Sequence, residues 1–183
     1  MHRNRFNRRW LRDGYAVHRH LPHAGKSMVL DDAQVPIKFA VILRHPKNVL
    51  VSRARRAAAI KSNTITPTMA IKTHLTSGAV RPLFDPKRQL DWQGWVTDPA
   101  ACVVRFEELT AQSADIQLAA IARLRDYLEI NLISPDEVAK HLLGESPTWS
   151  GRNSDWMEHW DAEIETLFIA AGGYGVMRAF GYE

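Results

Sequence analysis

Apolar and polar positions fall in blocks whose period changes along the chain. KFAVIL, residues 38–43, is a continuous apolar run with a β-branched pair, which reads as a strand buried on both faces. Pro46 follows closely, and proline suits a first helical turn, so a helix is expected over 46–61. ACVVRF, residues 101–106, is a second strand of the same kind. A shorter strand is expected over 15–20, after a helix over 3–13 that Gly14 ends. Further helices are expected over 67–77, stopped by Gly78, over 113–129, and over 135–142. The last of these has Ser134 as its cap, Pro135 at its first position and Glu137 near its start. Ser154 or Asp155 caps a helix running to Ala171, which Gly172 and Gly173 break before a final helix. Residues 21–36 and 79–100 read as irregular. Strands alternating with helices imply an α/β fold, a parallel sheet flanked by helices with its ligands at the strand C-termini.

No repeat, low-complexity tract or Gly/Ser linker interrupts the chain, so residues 1–183 read as a single domain. With 183 residues, 45% apolar and 24% charged, it is long enough to bury a core, and wholesale disorder or a fibrous repeat is excluded. Cys102 is the one cysteine, which rules out an internal disulfide and a cysteine-rich metal site. A reducing, cytoplasmic compartment is therefore expected. No apolar run approaches the roughly 20 residues of a membrane span. The basic start leads into no apolar segment, so it is not read as a secretory signal.

The net charge of +4 is clustered. Arg3, Arg5, Arg8, Arg9 and Arg12 crowd the start, and Arg44, Lys47, Arg53, Arg55, Arg56 and Lys61 crowd a second segment. Such clusters suit a polyanionic partner, although a solvated face accounts for the first equally well.

The segment FAVILRHPKNVLVSRARR, residues 39–56, combines strand, turn and helix. Arg44 stands just past the strand and Ser52 about a turn and a half into the helix. Guanidinium and hydroxyl would then converge near a positive helix end, which suits a phosphate monoester. An ordinary strand–helix turn with surface arginines is the competing reading.

LRHPKNVLVSRARR also resembles the 3′-phosphate-binding segment of the sulfotransferases that use 3′-phosphoadenosine 5′-phosphosulfate (PAPS). In the family an apolar strand precedes R-x-P-[KR]-[DN]-x-x-x-S, and Arg44, Pro46, Lys47, Asn48 and Ser52 match in register. HRHLPHAG, residues 18–25, is similar to the family's K-T-H-x-P strand end, with His18 and Arg19 in place of its lysine and threonine. The resemblance puts His20 at the catalytic base, a role that suits a neutral imidazole. KTHL, residues 72–75, matches the letters better but follows the phosphate segment and is expected inside a helix, so His20 is preferred to His74. CVVRFEEL, residues 102–109, resembles V-x-Y-E-[DE]-L, with Phe106 where the family's tyrosine approaches adenine. Glu107 and Glu108 read as charges at a helix N-terminus.

SPTWSGRNSDWMEHW, residues 146–160, resembles the C-terminal R-K-G-x-x-G-D-W-[KR]-x-x-[FW] loop. Gly151, Asp155, Trp156 and Trp160 match, Trp149 and Ser150 replace the basic pair, and Arg152 is placed to supply the lost cation. Trp156 and Trp160 also read as plain helix packing. The ending GYGVMRAFGYE is similar to the family's last helix and its L-G-Y-E tail.

The resemblance implies a P-loop-nucleotide-kinase-like sheet and transfer of a sulfuryl group from PAPS, without metal, to a hydroxyl or amine on a small-molecule, glycan or lipid acceptor. In it Arg44 and Ser52 bind the 3′-phosphate, Gly151 and Arg152 complete that clamp, Phe106 touches adenine and His20 is the base. The family's first strand and its 5′-phosphosulfate loop have no counterpart, since only 19 residues precede His20 and Gly14 is the one glycine among them. The expectation is thus an N-terminally truncated sulfotransferase, whose own turnover is in doubt without that loop. The other readings are a non-catalytic nucleotide- or polyanion-binding module and a nucleic-acid binder using the basic start, of which the last is not expected. Without the central strand, residues 39–43 and 102–106 are expected to flank an open gap, whose bare edges invite a second copy to form a homo-oligomer.

Overall fold

The computed structural model describes residues 23–32, 36–60, 64–77, 86–130, 134–142, 153 and 155–182. It is a mixed α/β structure, mostly helical, around a two-stranded parallel sheet. A 3₁₀ turn at His23–Gly25 leads into α1 (Lys26–Asp32), then β1 (Phe39–Leu43), α2 (Pro46–Ile60) and α3 (Pro67–Thr76). Next come α4 (Pro86–Thr97), β2 (Ala101–Arg105), α5 (Phe106–Leu109), α6 (Ala114–Leu128) and α7 (Pro135–Leu142). A 3₁₀ turn at Asp155–His159 precedes α8 (Ala162–Ala170) and α9 (Gly173–Ala179).

Local chemistry accounts for several boundaries. Thr66 caps α3 by accepting the Met69 N–H, with Pro67 next in line. Ser134 and Glu137 exchange side-chain to backbone bonds in both directions across the start of α7, a capping box. Asp161 accepts the Ile164 N–H and opens α8. Gly172, at φ 84°, separates α8 from α9.

Several expectations are corrected. Residues 21–36 contain α1 and residues 79–100 contain α4, where irregular chain was expected. The helix expected from Asp155 to Ala171 is divided into a 3₁₀ turn and α8. Phe106 ends no strand but starts α5. β1 is not buried on both faces: Leu43 is buried, while Ile42 is 57% exposed.

The open gap is also overturned. β1 pairs directly with β2, in parallel, from Phe39↔Ala101 through Leu43↔Arg105. Direct pairing satisfies backbone N–H and C=O groups that a gap would leave without partners. Each strand then has one edge with no partner strand among the described residues.

Two cores are found among the described residues. Leu50, Val51 and Ala54 of α2 pack with Ala70, Ile71 and Leu75 of α3, Ile164 and Phe168 of α8, and Val176 and Met177 of α9. Val104 of β2 packs with Leu109, Ala120 and Ile121. The second core lies against β2 through Val104, and the first includes α2, which follows β1.

Candidate functional site

The strand register runs on past the strands through side chains. Leu43 pairs with Arg105. One residue further, the Arg44 guanidinium lies over the Phe106 ring, 4.6 Å from its centroid. One further again, the His45 N–H donates to Glu107 Oε1 at 2.9 Å. A stacked guanidinium and a ring face thus meet at the C-terminal end of the sheet, from segments far apart in sequence.

The start of α2 is filled by the protein's own groups. Glu107 takes the His45 N–H, and Glu107 Oε1 lies 3.5 Å from Asn48 Nδ2. The Lys47 N–H donates to His45 Nδ1 at 3.3 Å, and the Val49 N–H to the His45 carbonyl at 3.1 Å. An anion at Arg44 therefore draws on the guanidinium rather than on these amides. Asn153, next in sequence to Arg152, ties the same region: it accepts from Asn48 Nδ2 at 2.6 Å and donates to the Glu107 carbonyl at 3.2 Å.

His45 is stacked on Trp156, with centroids 5.7 Å apart and planes 6° from parallel, and forms a T-shaped pair with Tyr182 at 4.9 Å. Burial holds its pKa below the ordinary histidine value; Glu107 opposes that shift and Lys47 adds to it. Tyr182 OH donates to Glu107 Oε2 at 2.7 Å. Burial, and then this bond, push the phenol well above its ordinary range.

Lys47 points the other way. Its ammonium lies 4.5 Å from the Trp156 centroid, 4.8 Å from Trp160 and 5.4 Å from both Phe168 and Tyr174. It donates to Glu165 at 2.9 Å, and Trp160 Nε1 and Tyr174 OH donate to the same carboxylate. Burial alone would raise the Glu165 carboxyl, but the three donors together hold it below its ordinary value. Trp156 and Trp160, expected to pack along a helix, instead meet edge to face at 5.6 Å across the end of the 3₁₀ turn.

Of the residues the sequence singles out, Arg44 and Phe106 are brought together. Ser52 is half-buried on α2, six residues after Pro46 and hence about 9 Å further along the helix. His74 lies in α3, as expected. His20, Gly151 and Arg152 lie outside the described residues. No group of three or more His, Cys, Asp or Glu suited to a metal occurs among the described residues, and no helix among them is long and apolar enough to cross a membrane. The sequence reading missed the part played by Glu107, whose partners lie on other segments. Comparisons with protein-family models, curated proteins and solved structures find no significant match.

Proposed function

We propose that this chain binds the 3′-phosphate of PAPS at Arg44 and Ser52 and acts as the nucleotide-binding part of a sulfotransferase. The observation that carries this reading is the meeting of Arg44 with Phe106 at the C-terminal end of a parallel strand pair. A guanidinium offers a forked donor pair to phosphate, and a ring beside it offers a face to adenine. His20 is the base that takes the acceptor's proton as its oxygen or nitrogen attacks sulfur. Gly151 and Arg152 complete the phosphate clamp.

A second reading, a nucleotide-binding module without catalysis, is favoured by Lys47. The one lysine of the phosphate motif is turned away into an aromatic box and paired with Glu165.

Calorimetric titration with adenosine 3′,5′-bisphosphate (PAP), the desulfated product, tests the shared part of both readings. Saturable binding, tighter than that of AMP and weakly dependent on salt, is expected. Binding only to long polyanions, with a steep salt dependence, would overturn it. Transfer from PAPS to a phenol or amine acceptor, lost in His20→Ala with PAP affinity kept, separates the enzyme from the module.

A further inference from the structure

Glu107 joins the two segments that supply Arg44 and Phe106. Its Oε1 accepts the His45 N–H at 2.9 Å, next in sequence to Arg44. Its own backbone follows Phe106 directly, at the start of α5. Asn48 Nδ2 approaches the same oxygen, so both ends of the turn that opens α2 face this carboxyl group. The other oxygen, Oε2, is held by Tyr182 OH at 2.7 Å, and Tyr182 is fixed in turn by its T-shaped contact with His45 and by Arg105, whose guanidinium lies 5.0 Å from the ring centroid. The Asn153 amide fixes the Glu107 backbone at its carbonyl.

We infer that Glu107, braced by Tyr182, is the positioning residue that sets the turn carrying Arg44 and so holds the guanidinium over Phe106. A first-turn glutamate that only favoured the dipole of its own helix would bond to α5 or to water. This one bonds to a different element, at the residue adjoining the cation. Tyr182 thereby becomes part of the anion site's support. The consequence for ligand rests on Arg44 being an anion-binding residue; the consequence for the turn does not.

The test uses the full chain and its Glu107→Ala, Glu107→Gln and Tyr182→Phe variants, with two measurements. The first is amide hydrogen exchange at residues 45–49, relative to α6 in the same sample. The second is the ratio of PAP to AMP affinity by calorimetry, which reads the 3′-phosphate alone. Loss of one such bond corresponds to about tenfold. In Glu107→Ala, exchange at 45–49 should rise about tenfold against α6, and the PAP preference should fall about tenfold with AMP affinity little changed. Glu107→Gln keeps an oxygen for the His45 N–H and should restore most of both. Tyr182→Phe should raise exchange at 45–49 by about threefold, and it decides the matter where Glu107→Ala does not fold. Unchanged exchange at 45–49 in Glu107→Ala or, failing that variant, in Tyr182→Phe would overturn the positioning role. So would an unchanged PAP preference in Glu107→Ala. A wild-type chain with no PAP preference overturns the reading of Arg44 instead, and the exchange result then judges the turn by itself.

Discussion

Lys47 and Glu165 meet at 2.9 Å beneath the rings of Trp156, Trp160, Phe168 and Tyr174, although 118 residues separate them. The contact joins the first turn of α2 to α8 beside Phe168 of the larger core. The Lys47 side chain is 8% exposed and that of Glu165 30%, so the pair is shielded from water on one side only. Removing one partner of a fully buried pair costs about 3–5 kcal/mol, and the open side places this pair at the lower end. Lys47→Ala should therefore lose about 3 kcal/mol in urea denaturation. Lys47→Met, which keeps the stem among the rings, should lose about half of that. Equal midpoints for wild type and Lys47→Ala would remove the box as a source of stability.

Arg44 is the motif cation whose guanidinium remains at the sheet end, so its loss should be felt in ligand affinity more than in stability. A hydrogen bond to a charged group contributes about 1.5–3 kcal/mol, hence roughly 10–150-fold in PAP affinity for Arg44→Ala. Arg44→Lys should recover little, because an ammonium has neither the planar fork nor the stacking surface. Full PAP affinity in Arg44→Ala, measured by calorimetry, would end the 3′-phosphate assignment.

How the sheet reads from sequence depends on what lies beside each strand. The two apolar runs and the helix after Pro46 are legible because their signals are local. The helices α1 and α4 are not. KSMVLDD has seven residues, too few for a periodic stripe, and it is held by the tertiary contact of Lys26 with Asp98. PKRQLDWQGWVT contains Gly94, a residue that disfavours helices, and a Cβ there would strike the His23 ring. The continuous run of β1 suggested two covered faces, yet Ile42 is 57% exposed while Val104 in β2 is fully buried. The cost of substitution should follow burial and not hydrophobicity. Val104→Ala is expected to cost about 2 kcal/mol, and Ile42→Thr under about 0.5 kcal/mol. A larger loss at Ile42 in thermal or chemical melts would mean that another segment covers β1.

Gly172 and Gly173 were legible as a helix break, but only one of them for that reason. Gly172 has φ 84°, which favours glycine. Gly173 is buried, and a Cβ on it would clash with Cζ and both Cε atoms of the Phe168 ring, itself fully buried in the larger core. Gly173→Ala should force that ring from its place and cost about 1–3 kcal/mol, as overpacking does. Pairing it with Phe168→Leu should recover part of the loss. No interaction between the two substitutions in a double-mutant cycle would refute the contact.

Asp98 fastens the first described segment to the sheet and supplies the acid sensitivity of this region. Its Oδ2 accepts from Lys26, and His23 Nε2 lies 3.0 Å from the same oxygen, while Oδ1 accepts the Ala100 N–H at 2.9 Å. His23 also meets Trp95 edge to face at 4.9 Å, so the ion pair and the aromatic contact are made by one short segment. The Lys26 hydrogen bond, followed by that of Ala100, lowers the Asp98 carboxyl from an ordinary 3.8 to about 2. The folded-state value lies below the unfolded one, so the unfolded chain binds the proton more readily. The stabilisation is therefore present in full above pH 3.8 and is lost as pH falls from there through about 2. Asp98→Asn removes the titrating group. The stability difference between wild type and Asp98→Asn should be constant from pH 7 to about 5 and shrink steadily between about 4 and 2. Parallel urea titrations across that range measure it. A difference that stayed constant down to pH 2 would show that Asp98 titrates at the same pH in both states and that Lys26 does not hold it.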